Sequence, residues 1–282
     1  MAAADPTAED PTLYSGSADN TIRVWNPTTG TAFSQLVGHV CAIFCLALSP
    51  DGTMLFSGSS DNTIHVWDTA TGAELRKMEG HSRAVGCLAL SPDGTTLFSG
   101  SSDYTIRVWD TATGAELRTM EGHTHRVWCL ALSPDGTTLF SGSEDNAIRV
   151  WNTATGTELR KMEGHTSTVL CLALTPNGTT LFSGSWDKTI RVWDTATGTE
   201  LRKMEGHTQW IRCLALTLDG TTLFSGSSDK TIRAWDTAIG TELLKMMGHT
   251  SAVRCLALSP DSTTLYSGSY DRTIRVWDTA TG

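Results

Sequence analysis

The sequence predicts an all-β protein of small antiparallel sheets set around an axis, a β-propeller, on three observations. Trp25, Trp67, Trp109, Trp151, Trp193, Trp235 and Trp277 stand 42 residues apart, with no insertion or deletion to break the register. A unit of roughly that length cannot bury its apolar surface alone and must stack on its neighbours. Each unit also carries four short β-branched or apolar runs bounded by turn residues. Finally, runs such as Cys129-Leu130-Ala131-Leu132 are apolar on both faces. Each sheet therefore needs cover on both sides, and sheets stacked around a ring supply it.

One unit shows the elements in order. Val127 to Leu132 reads as the first strand, and Ser133-Pro134-Asp135-Gly136 ends it with a preset proline and a glycine free to take positive φ. Thr138 to Ser143 follows, and Glu144-Asp145-Asn146 is short enough for a hairpin. Ala147 to Trp151 and Glu158 to Glu163 complete the meander, joined through Ala154-Thr155-Gly156.

Gly-His, then SPDG, then SGS-x-D, then IRVWD, at this spacing, resembles the WD-repeat family over residues 11–282. The resemblance implies a seven-bladed propeller of four-stranded antiparallel blades, non-catalytic, serving as a platform for other proteins or peptides. It also implies a structural tetrad in each full repeat, a hydrogen-bonded chain from Trp to Ser to His to Asp. The matching residues are His39, Ser57, Asp61 and Trp67; His81, Ser99, Asp103 and Trp109; and His123, Ser141, Asp145 and Trp151. In the later repeats they are His165, Ser183, Asp187 and Trp193; His207, Ser225, Asp229 and Trp235; and His249, Ser267, Asp271 and Trp277. Ser, His and Asp together also suggest a hydrolase. Six copies in one register argue for a joint instead, because an active site is needed once.

Composition narrows the function further. A formal charge of -9 argues against nucleic acid as the main partner, since phosphate binding draws on an excess of Lys and Arg. No apolar run approaches a membrane span, and MAAADPTAED (residues 1–10) is an acidic segment, weakly ordered or a poor closing strand, rather than a targeting signal. The expected setting is the cytoplasm, with the nucleus as the alternative. Cys45, Cys87, Cys129, Cys171, Cys213 and Cys255 share one repeat position, so symmetry holds them apart and they read as small buried apolar residues. Cys41 reads as an ordinary thiol. No metal or cofactor is expected: there is no C-x-x-C, and His65, standing where other repeats have Arg, reads as a solvated substitution, as does His125.

Comparing the copies within the chain separates frame from surface. Three and five residues after the Gly-His histidine stand Ala42 and Phe44, Ala84 and Gly86, Arg126 and Trp128, Thr168 and Leu170, Trp210 and Arg212, and Ala252 and Arg254. The residue before the tetrad aspartate also varies, including Glu144, Trp186 and Tyr270, as does the one after it, including Lys188. The resemblance puts these positions at the channel mouth and the loops around it, the top face. Aromatic residues and arginine dominate interface hot spots. The expected docking set is therefore Phe44, Arg126, Trp128, Glu144, Leu170, Trp186, Lys188, Trp210, Arg212, Arg254 and Tyr270, suited to an acidic or phosphorylated peptide with apolar anchors.

The seam is the irregular part. Counting runs finds six first, seven second, seven third and six fourth strands, so the first and last blades are expected to be three-stranded or nearly so. A short strand from Met1 to Ala4, a strand from a partner or second copy, and membership of a longer array all remain open as explanations. Two rival readings of function also remain. One is a structural or sensor module of a longer signalling protein; the other is a small-ligand binder or enzyme at the channel mouth, using Glu144 beside Trp128 and Arg126.

Overall fold

The computed structural model describes residues 2–5 and 12–282. All regular structure among them is β-strand, in seven antiparallel sheets, the blades. Blades 2 to 6 are four-stranded meanders in chain order, as the run pattern predicts. Blade 4 consists of Val127–Leu132, Thr138–Ser143, Ile148–Asn152 and Glu158–Met162.

The end blades are the short ones. Blade 7 has three strands, Val253–Leu258, Thr264–Ser269 and Ile274–Asp278. Blade 1 rests on Thr12–Gly16, Thr21–Asn26 and Thr31–Val37, and the four-residue strand Ala2–Asp5 pairs along the first of these, Ala2 opposite Ser15. Met1 and residues 6–11, which make up most of the expected acidic segment, lie outside the described residues. The first strands of successive blades stand side by side around the axis, and Ala2–Asp5 lies between those of blades 7 and 2, closing the ring.

The core consists of layers between blades rather than one central mass. Between blades 4 and 5, Cys129, Phe140, Ile148, Val150 and Met162 pack against Val169, Leu181 and Trp193. Alternation along each strand produces this arrangement: Leu139 and Phe140 point to opposite faces, so each sheet serves two layers. The invariant glycine of SGS belongs to the same packing. A Cβ on Gly142 would lie 2.5 Å from Cys129 Sγ and 2.7 Å from Val169 Cγ1, and valine is stiff about χ1. Gly142→Ala should therefore destabilise the ring by about 1–3 kcal/mol through overpacking. Urea unfolding checks this, and an unchanged midpoint would contradict the packing account.

The six repeat cysteines are buried and, like Cys41, free. Burial pushes the Cys45 thiol up to about 12 and raises those of Cys87, Cys129, Cys171 and Cys213 as well. Such thiols stay protonated and unreactive at neutral pH, whereas Cys41 is exposed.

Candidate partner-binding face

The tetrads set the loops from which the variable residues project. In all six, the indole N–H donates to the serine Oγ at 2.8 Å. The histidine Nε2 lies 2.6–2.8 Å from that Oγ. Its Nδ1 lies 2.7–2.8 Å from an aspartate Oδ2. Each aspartate then holds two pieces of backbone: Asp145 accepts from the N–H of Ala147 and of Thr124, which fixes the second hairpin against the entry to the first strand. Among the described residues, blade 1 keeps the indole bond from Trp25 to Ser15 and the bond from the Thr21 N–H to Asp19.

Burial by itself would raise the pKa of Asp145, but bonds and charge from His123 outweigh it and hold it at about 2. Asp61 is held at about 2 against burial by bonds from Thr63 and His39.

Backbone bonds bring the variable positions together. The residue before each tetrad aspartate donates its N–H to the carbonyl three residues after the histidine: Glu144 to Arg126, Trp186 to Thr168, Ser228 to Trp210, and Tyr270 to Ala252. The position five residues after the histidine is the extra residue of a β-bulge in every first strand of blades 2 to 7, as where Val127 pairs with Ser143 and Cys129 with Gly142, leaving Trp128 unpaired. Bulges re-aim side chains, so simple period-two alternation does not describe this site. The residue after the aspartate lies in the left-handed region, with φ of 72° at Lys188. Asparagine tolerates that conformation and lysine does so poorly.

The chemistry concentrates on blades 5, 6 and 7. Trp186 and Trp210 stack with centroids 4.4 Å apart and planes 16° from parallel. The Arg212 guanidinium lies 5.2 Å from the Trp210 ring and 5.8 Å from Tyr270, and Arg254 lies 4.7 Å from Tyr270. Ser228 accepts from Arg212 Nε at 2.5 Å. Ser228 was not expected in the site, although its variability among the copies was a signal for it. Burial, then the charge of Arg254, lowers the Arg212 pKa, so the two guanidinia repel each other.

Other expected members stand apart from this cluster. Arg126 and Glu144 form an exposed pair at 3.8 Å. Trp128 is half-buried, its indole N–H is without a hydrogen-bond partner, and among the described residues no ring contact joins it to the cluster. Phe44 and Lys188 are exposed and Leu170 is half-buried. Two clefts, of about 300 and 330 Å³, lie elsewhere, against the Ser-Pro-Asp turns between blades 7 and 1 and between blades 3 and 4. A peptide face on a propeller is a surface rather than a cavity, so the side-chain cluster is the better guide to it.

His65 corrects a sequence expectation. It is 4% exposed rather than solvated, because its third-strand position packs beside the tetrad, with its ring 3.9 Å from that of His39. His125 is exposed.

The family model for the WD domain, G-beta repeat (WD40), matches residues 3–26, 30–68, 72–110, 114–152, 156–194, 198–236 and 240–278. The chain belongs to the WD40 family. No curated protein matches it. WD40 propellers typically mediate protein–protein interaction and are generally non-catalytic scaffolds. No helix among the described residues of this WD40 chain is long and apolar enough to cross a membrane.

Proposed function

We propose that this propeller is a non-enzymatic scaffold whose top face, over blades 5 to 7, binds an acidic or phosphorylated segment of a partner protein. The observation that carries the reading is the Trp186–Trp210 stack flanked by two guanidinia that share Tyr270. Rigid aromatic area supplies apolar anchoring, and two neighbouring arginines favour an anion that bridges them and relieves their repulsion.

The test is a panel of immobilised peptides, each acidic, phosphorylated or neutral, probed with the intact protein and with a Trp210→Ala, Arg254→Glu variant. Retention of the anionic peptides should fall at least about tenfold in the variant, roughly 1.4 kcal/mol, and weaken with salt. Trp128→Ala should matter less, because Trp128 stands outside the cluster. Equal retention by the intact and doubly substituted proteins would remove this face as the docking site.

A further inference from the structure

Blade 2 differs from its neighbours at one buried point. In blades 3 to 6 an arginine of the third strand pairs with a glutamate at the start of the fourth strand. Arg107, Arg149, Arg191 and Arg233 each pair with such a glutamate, Glu116, Glu158, Glu200 and Glu242. In blade 4 the same side chain reaches Asp145 as well, at 4.0 Å. In blade 4 a fixed positive charge thus sits between two carboxylates.

In blade 2 that arginine is His65. Asp61 and Glu74 keep their places: Asp61 Oδ2 lies 2.8 Å from His39 Nδ1, and Glu74 Oε2 lies 3.1 Å from His65 Nδ1. Blade 2 thus has a second imidazole, 3.9 Å from that of the tetrad histidine, where its counterparts carry a guanidinium.

We infer that His39, Asp61 and His65 form a binding site for one divalent transition-metal ion of the zinc class. One ligand atom of each lies within 4.8 Å of the other two. Donor atoms on a tetrahedral zinc stand about 3.3 Å apart, so binding opens the 2.8 Å contact between His39 and Asp61 and draws His65 inward by up to about 1.5 Å. Two imidazoles with a carboxylate is a donor set that suits zinc, cobalt or nickel rather than calcium or magnesium.

Glu74 supplies the outer support. It accepts from His65 Nδ1–H and so leaves the lone pair on Nε2, the arrangement in which a carboxylate orients a ligating histidine. It is also 36% exposed, which gives the otherwise buried cluster an edge open to solvent. His39 accommodates the ion by a tautomer shift: its proton moves from Nδ1 to Nε2 and is donated to Ser57 Oγ, while the Ser57 hydroxyl turns to the His65 carbonyl, 3.5 Å away. No proton leaves the site, and the Trp67 bond to Ser57 is untouched.

Zn²⁺ and Co²⁺, titrated into chelator-treated full-length protein by calorimetry and absorbance, test the inference. One equivalent should bind, raising the melting temperature by a few degrees at saturation, and Co²⁺ should give ligand-field bands of a low-coordinate nitrogen and oxygen site. His65→Arg restores the residue of the other blades and should fold while losing that equivalent. His65→Gln serves as a second variant should the arginine not fit. Glu74→Gln should weaken binding about 10–100-fold, and Cys41→Ser should leave it unchanged. Absence of saturable binding, the same stoichiometry in both His65 variants, or loss of binding in Cys41→Ser would each overturn the assignment.

Discussion

Trp193→Ala is expected to lower the unfolding free energy by about 3–5 kcal/mol, the range for removing a large buried aromatic side chain. Trp193 is 1% exposed and completes the layer in which blade 5 packs on blade 4. An indole buries about 150–250 Å², more than a shift of the neighbouring Met162 side chain can refill. The substitution also removes the N–H donated to Ser183 Oγ at 2.8 Å, although Ser183 keeps its contact with His165 at 2.6 Å.

His165→Ala should cost less, about 1–3 kcal/mol, since it removes no comparable apolar area but leaves Ser183 and Asp187 each one partner short. It should loosen one blade without abolishing any reaction. Chemical denaturation of both variants checks the order. If the histidine variant proves the less stable, the polar chain rather than the packed layer holds the blade; if the tryptophan variant falls within about 0.5 kcal/mol of the parent, as an exposed substitution would, the layer account is wrong.

Acid should unfold the ring steeply, because the same carboxylate is perturbed in six blades. Asp61 and Asp145 are held at about 2, below the ordinary value of 3.8, and Asp103, Asp187, Asp229 and Asp271 are lowered too. In each case burial acts the other way and is outweighed by hydrogen bonds to histidine, threonine and backbone N–H groups.

With folded pKa values below the unfolded ones, the folded state binds fewer protons, so the contribution is complete above about pH 4 and is lost as pH falls through the folded values. Each site is worth on the order of 1 kcal/mol after allowance for screening, and all six act in one direction. Urea midpoints should be flat from neutrality to about pH 5 and then drop with uptake of several protons. Asp145→Asn should be less stable at neutral pH and show a shallower acid slope. A profile flat down to pH 2 would mean that these bonds add nothing to stability.

Much of this was legible because one chemical solution is repeated. The period of Trp25 to Trp277 and the turn residues at fixed offsets located every strand of blades 2 to 6 to within a residue or two. The seam was harder to read. Ala2–Asp5 carries none of the apolar pattern of a first strand yet pairs along Thr12–Gly16, because backbone hydrogen bonding does not depend on side-chain identity.

At the candidate face, comparison of the copies picked out Trp186, Trp210, Arg212, Arg254 and Tyr270 as variable positions. It did not tell that these five gather while Trp128 stands apart. The six bulges, each at an unremarkable residue of a regular run, left no mark in the sequence.

Periodic local constraints were therefore settled within the chain itself: strand, turn, tetrad and buried cysteine each follow from residue type at a repeated offset, and repetition amplifies the signal. Closure of the ring, the grouping of aromatic rings with guanidinia, and the burial of His65 against His39 were decided by tertiary structure. Each depends on which residues of different strands or blades face one another across a few ångströms, and no offset along the chain encodes that distance.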